Sequence, residues 1–181
     1  MVAFAKRLLL ECGQPDKTTF AQALYSENRA SPFNRQENRM KVSARNVFEG
    51  KITALKDGAV NAEVELTTAG GDRIVAIVTE GSVQSLGLAL GKPVVAFVKA
   101  PWVMVLTGTG SVRFSARNQL TGTISKLDKG AVNTEVAITL PGGSVVHSVI
   151  TNEAVMDLGL KLGVTATALI KASHVVLGIQ D

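Results

Sequence analysis

Ser43-Ala44-Arg45-Asn46 returns as Ser115-Ala116-Arg117-Asn118, 72 residues further along a chain of 181. Gly58-Ala59-Val60-Asn61 returns as Gly130-Ala131-Val132-Asn133 at the same offset, and Lys99-Ala100 as Lys171-Ala172. Laying 43–109 over 115–181 needs no gap and gives 27 identities in 67 positions. Such agreement is the mark of a duplicated module, and a duplication settles architecture before any local reading. One copy is small for an independent core, whereas two in tandem can bury a joint one. The repeat divides the chain into an extension over 1–39 and modules over 40–109 and 112–181.

Within each copy the pattern is that of strands and tight turns. Val47 to Leu55 alternates apolar and polar residues, and Lys56-Asp57-Gly58 is a turn signal. Asn61 to Thr67 alternates again, with Ala62, Val64 and Leu66 on one face and Glu63 and Glu65 on the other. Gly70-Gly71-Asp72 predicts the next turn and Arg73 to Val78 a third strand. A short helical turn over Val83–Leu88 precedes strands at Pro93–Lys99 and Val103–Leu106. Copy two predicts strands near 119–127, 132–140, 144–150, 164–171 and 174–179, with a short helix near 152–158. Five short strands with one brief helix after the third match an oligonucleotide/oligosaccharide-binding-like barrel. The expected fold is therefore all-β, with two tandem OB-like five-stranded barrels. Barrels this small are partly open, and their edges need cover from another module or chain.

The extension differs from the body. It holds the one cysteine, Cys12, and the one tyrosine, and a polar tract from Ser26 to Arg39. Asp16 or Thr18 is placed to cap a short helix through Ala21–Leu24, while Pro15, Pro32 and the polar tract predict a mostly flexible segment. Residues 1–42 carry +3 of the net charge of +4, and residues 43–181 carry nearly equal numbers of basic and acidic residues, twelve against eleven. A broad basic face for nucleic acid is therefore not expected. No apolar run is long enough to span a bilayer, and Glu11 interrupts the apolar stretch after Arg7, against a secretory signal. One cysteine excludes an internal disulfide framework, which suits a reducing, cytoplasmic setting.

The polar residues common to both copies include Ser43/Ser115, Arg45/Arg117, Asn46/Asn118, Thr79/Thr151 and Lys99/Lys171. The shared acid is Glu63/Glu135, on an alternating strand and expected to be exposed. No histidine or cysteine is shared: His147 and His174 have Val75 and Trp102 as repeat mates. Neither a bare metal-cation site nor an acid–base pair or triad is expected on that pattern. Hydroxyls, backbone N–H groups and fixed cations are instead the donors a small oxyanion requires. Thr79-Glu80-Gly81-Ser82 precedes the helical turn, Lys99 adds a point charge, and Arg45 adds directional donors. Other roles stay open for the same residues. Arg45 can pair with a carboxylate across an interface, Lys99 can be a solvated strand end, and Ser82 can be a helix cap. Trp102 reads as a packing residue.

Three stretches carry a resemblance. Met40-Lys41-Val42-Ser43-Ala44-Arg45-Asn46, Gly58-Ala59-Val60-Asn61-Ala62-Glu63-Val64 and Val98-Lys99-Ala100-Pro101-Trp102-Val103 closely resemble the molbindins. The tandem arrangement is similar to the di-domain members, built from two Mop (TOBE-like) domains. It is also similar to the effector half of the molybdate-responsive regulators. The resemblance covers about 40–181. It implies binding of molybdate or tungstate, and assembly of the chain as a homo-oligomer, a trimer. It also implies ions held between modules of different subunits, with the Ser-Ala-Arg-Asn strand crossing to a neighbour. The implied copy-one residues are Ser43, Ala44, Arg45, Thr79, Ser82, Lys99 and Ala100. In copy two they are Ser115, Ala116, Arg117, Thr151, Ala154, Lys171 and Ala172. Ala154 stands where copy one has Ser82, so an amide survives there and a hydroxyl does not. Two sorts of site are therefore expected.

Two functions follow from that resemblance. One is oxyanion storage and homeostasis in the cytoplasm without catalysis. The other is a regulatory sensor, for which a full winged-helix domain is expected before residue 40, where some forty residues without that pattern stand.

Overall fold

The computed structural model describes residues 41–108 and 110–180. The short helix expected through Ala21–Leu24 and the flexible character expected of 1–39 lie outside the described residues.

Copy one forms β1 (Asn46–Lys56), β2 (Asn61–Thr68), β3 (Arg73–Thr79), α1 (Glu80–Leu86), β4 (Pro93–Val98) and β5 (Met104–Leu106). Copy two forms β6 (Asn118–Lys129), β7 (Asn133–Thr139), β8 (Val145–Thr151), α2 (Asn152–Asp157), β9 (Thr165–Ile170) and β10 (Val176–Gly178). All ten strands and the second helix stand where the sequence predicts them, within about two residues at their ends, the ordinary scatter of element boundaries; the first helix starts three residues before the expected Val83, at Glu80. A 3₁₀ turn precedes the last strand of each copy, Ala100–Trp102 and Ala172–His174. Pro101 suits the first of these, because its fixed φ fits an early helical position.

The long first strand of each module pairs on both sides. β1 runs antiparallel to β2 and to β4, with register shifts between Ile52 and Ala54; β6 repeats this with β7 and β9, shifting between Ile124 and Lys126. A bulge at that point bends the strand and lets one sheet curl around its own apolar face. Ala62, Val64 and Leu66 of β2 are buried on that face, as the alternation requires.

The two five-stranded sheets have the orders β10-β4-β1-β2-β3 and β5-β9-β6-β7-β8. The fifth strands are exchanged: β10 of copy two pairs with β4, and β5 of copy one pairs with β9. The segments 40–109 and 112–181 thus describe the repeat, while each sheet takes its last strand from the other copy. The resemblance implied that the Ser-Ala-Arg-Asn strand crosses to a neighbour. Within this chain β1 and β6 remain in their own sheets, and the crossing elements are β5 and β10. Exchange covers an edge that a self-contained five-stranded barrel would have to close with a three-residue strand of its own. It also merges the interiors: buried side chains of both copies, Phe48, Leu66 and Ile74 together with Ile124, Ile138 and Ile170, form one continuous cluster.

Several contacts between the modules come in pairs related by the repeat offset, the reciprocity of a twofold interface. The turns after β2 and β7 meet back to back. A Cβ on Gly70 would lie 1.7 Å from the Gly142 carbonyl oxygen, and one on Gly142 would lie 2.5 Å from the Asp72 carboxylate. Asp72 accepts the Gly142 and Ser144 amides, each at 3.0 Å. Trp102 and its repeat mate His174 touch each other, ring centres 5.3 Å apart. Trp102 stays 43% exposed.

Candidate functional site

Asn46 lies opposite Val98 in the β1–β4 ladder. That register sets the residues just before β1 beside those just after β4. Ser43, Arg45, Lys99 and Ala100 accordingly line one recess of about 440 Å³. Its far wall is copy two: Asp128, Gly130, Asn133 and Glu135. Ala100 is buried, Ala44 half-buried, and Ser43, Arg45 and Lys99 exposed. In copy two Asn118 lies opposite Ile170, which sets Ser115, Ala116 and Arg117 beside Lys171 and Ala172 in the same way.

Thr79 and Ser82 do not line that recess. Thr79 is the N-cap of α1: its Oγ1 accepts the Ser82 amide at 3.2 Å and lies 2.8 Å from the Ser82 hydroxyl. In α2, Thr151 accepts the Ala154 amide at 3.1 Å. The amide expected to survive at Ala154 is therefore present and already given to the cap. The Ala100–Trp102 turn packs on β8, the strand ending at Thr151, and the Ala172–His174 turn packs on β3, ending at Thr79. Each Lys-Ala pair thus leads a turn that packs on the other copy's capped strand, and the seven residues of one copy do not form a set by themselves.

Both arginines reach across the modules to the shared glutamate. Arg45 pairs with Glu135 through one Nη1–Oε2 contact. Arg117 grips Glu63 as a fork, Nε to Oε2 at 2.9 Å and Nη2 to Oε1 at 2.6 Å. The Glu63 hydrogen bonds, then its charge, raise the Arg117 pKa above its ordinary value. The carboxylate pairing left open above is thus realised, and the glutamates expected to be exposed are partly buried, their side chains 30% and 27% exposed. The arginines remain more than half exposed, so solvent screens both pairs and they add little to stability.

The firmer cross-module bond belongs to the motif asparagines, which the sequence marks as shared without showing what they do. Asn46 is fully buried. Its Nδ2 donates to the His147 carbonyl at 2.9 Å and to the Val98 carbonyl at 3.2 Å, and its Oδ1 accepts the His147 amide at 2.6 Å. Asn118 does the same to Val75, at 2.8 and 2.7 Å, and donates to Ile170 at 3.3 Å. A primary amide offers the donor and acceptor of a peptide group, so each asparagine stands in for one residue of strand pairing along β8 or β3.

The two recess walls differ. In copy two, His147 Nδ1 lies 3.1 Å from Glu135 Oε1, the oxygen that Arg45 leaves. Val75 holds the equivalent place in copy one. The residue paired with Glu135 is Asp128, and the residue paired with Glu63 is Lys56. Among the described residues no cluster of His, Cys, Asp or Glu is arranged to hold a metal cation, and no helix is long and apolar enough to cross a membrane.

Twin β-modules exchanging their last strands, with cationic donors gathered at the module boundary, define the class. The TOBE domain model matches residues 42–105 and 115–177, and the chain belongs to the TOBE-domain family, carrying the domain in two tandem copies. A solved structure of the cytoplasmic molybdate-binding protein ModG, with molybdate bound, is 56% identical over the whole of that chain and 78% of this one, with a TM-score of 0.75. The molybdenum-pterin-binding protein MopA of Rhodobacter capsulatus is 44% identical over 77% of this chain and 53% of its own length. The molybdenum transport protein ModE of Herbaspirillum seropedicae is 41% identical over 78% of this chain and 53% of its own length. The chain spans about half the length of these curated relatives. The resemblance to the di-domain molbindins stands on these matches.

Proposed function

We propose that this protein binds molybdate, or tungstate, and serves intracellular molybdenum storage and homeostasis without catalysing a reaction. The observation that carries the reading is the convergence of Ser43, Arg45 and Lys99 on one cross-module recess. A tetrahedral dianion accepts hydrogen bonds on every oxygen, and a hydroxyl, a guanidinium and an ammonium are three such donors. The similarity to molybdate-bound ModG over its full length supports the choice of anion. The ligands proposed are Ser43, Ala44, Arg45, Thr79, Ser82, Lys99 and Ala100 of copy one. Those of copy two are Ser115, Ala116, Arg117, Thr151, Ala154, Lys171 and Ala172. They are proposed to close around ions between chains of a cytoplasmic homotrimer. Val60 with Val132, and Leu90 with Leu162, support self-association: each pair is identical and exposed in both copies, as repeated apolar contact points are.

Titration calorimetry tests the reading. Molybdate and tungstate should bind far more tightly than sulfate, and equal heats for sulfate would remove the proposal. Lys99→Ala should weaken binding about tenfold or more, the scale of one lost charge-assisted contact, while leaving the circular dichroism unchanged. Native mass spectrometry should show three chains and a fixed number of ions per assembly.

A further inference from the structure

Resting on that reading, we propose that Glu135 is an internal competitor of the anion: it occupies Arg45 until a dianion displaces it, and so holds down the affinity of the recess. The first ground is place. Glu135 lines the same recess as Ser43, Arg45 and Lys99, and its Oε2 accepts from Arg45 Nη1. A carboxylate oxygen and an oxyanion oxygen ask for the same charge-assisted donor. An N–H aimed at one is withdrawn from the other.

The second ground is repetition. The outward residues of β2 include Glu63 and Glu65, whose repeat mates are Glu135 and Ala137. The acid that is repeated is the one that meets the other copy's motif arginine, Glu63 with Arg117 and Glu135 with Arg45. These screened pairs add little to stability, so holding the fold together does not account for the repetition. Control of the arginine donors does.

The third ground is the ease of exchange. Arg117 is held through both Nε and Nη2, whereas Arg45 is held through Nη1 alone. A single contact lacks the fixed geometry of a fork and opens more readily. When Arg45 turns to an anion, Glu135 is not stranded. His147 Nδ1 lies 3.1 Å from its Oε1 and donates to it in the Nδ1–H tautomer. A dianion carries twice the charge of the carboxylate and is drawn by Lys99 as well, which is what lets it win the arginine. The displaced carboxylate stays in the wall and repels the ion, so the recess binds less tightly than its donors alone would. A store has to release its ion, and this contact favours release. Glu135 acts through Arg45 and is a positioning residue, not a ligand.

The test is calorimetric titration of the full chain with sodium molybdate at one pH and one salt concentration. Glu135→Gln removes the charge and keeps an oxygen for His147. It should raise molybdate affinity at one class of site by roughly three- to tenfold, the scale of one exposed ion pair together with the lost repulsion. Glu135→Ala should raise it likewise. Glu65→Gln breaks the Arg73 pair, which lies outside this recess, and should leave the affinity as it is. Equal or weaker molybdate binding in both Glu135 variants, or the same gain in Glu65→Gln, would overturn this inference and leave molybdate binding intact. No molybdate heat in wild type or in any variant would overturn both.

Discussion

Removing the Asn118 side chain should loosen the two modules far more than removing the neighbouring Arg117. Asn118→Ala breaks three hydrogen bonds of 2.7 to 3.3 Å and leaves the Val75 amide and carbonyl without partners. Val75 is half-buried, so each orphaned group costs near the low end of its range, about 1 kcal/mol. The emptied volume around a buried side chain adds about 1 kcal/mol more. The total, about 3 kcal/mol, corresponds to roughly 6–12 °C in the unfolding midpoint at about 2–4 °C per kcal/mol for a domain of this size. Asn118→Asp keeps the acceptor but sets a carboxylate oxygen against the Val75 carbonyl, so it should cost at least as much. Arg117→Ala removes an exposed, screened pair and should leave the midpoint nearly unchanged. The assay is thermal unfolding by circular dichroism without oxyanion, at one protein concentration, because association shifts the midpoint. Midpoints of Asn118→Ala and Asn118→Asp equal to wild type, or a larger drop for Arg117→Ala, would refute the assignment of the cross-module bond to the asparagine.

Gly70→Ala should fail to give the native fold or lower its midpoint severely, since the new methyl would meet the Gly142 backbone at 1.7 Å. Gly81→Ala, with nothing within 4 Å, should be neutral or slightly stabilising. Solubility and circular dichroism of the two variants check both. The Glu65 carboxyl is held below its ordinary pKa, chiefly by its hydrogen bond from Arg73 and also by that charge, against the opposing effect of burial. Its contribution is in place above the ordinary carboxylate value of about 4.3 and is lost as pH falls through the lower folded value. Glu65→Gln should therefore lose less of its urea midpoint between pH 6 and pH 3 than wild type does; an equal loss would remove Glu65 from the acid response.

The strands were legible in the sequence because alternation has a period of two, and the repeat offered each pattern twice. The helices were legible as brief turns after the third strands, but the first cap was not: Ser82 was the residue open to that role, and the helix starts earlier, at Glu80, with Thr79 as its cap. The exchange of β5 and β10 was not legible. A three-residue strand has the same pattern in either sheet, and nothing local says which neighbour it joins. The cross-module pairs were half legible. Arg45, Asn46 and Glu63 were marked by repetition, and an arginine–carboxylate pairing across an interface was among the readings left open. The particular partners, 54 to 101 residues away in sequence, depend on how the modules face each other. Trp102 shows the same limit, since its contact is the histidine at its own repeat position. The shared acid is itself a signal of such a pairing, because an exposed strand residue has no packing reason to be shared.

The exchanged fifth strands also bear on how such a chain can arise. A lone module would end in a strand whose proper sheet lies elsewhere, and its own sheet would keep an open place beside β4. Two identical lone modules would satisfy each other reciprocally, each lending its tail to the other. Fusing the two genes turns a concentration-dependent pairing into an intramolecular one. Once the partners are tethered, either half is free to change alone, and His147 facing Val75 at the repeat-mate position is a difference of the kind that only a fused pair can keep.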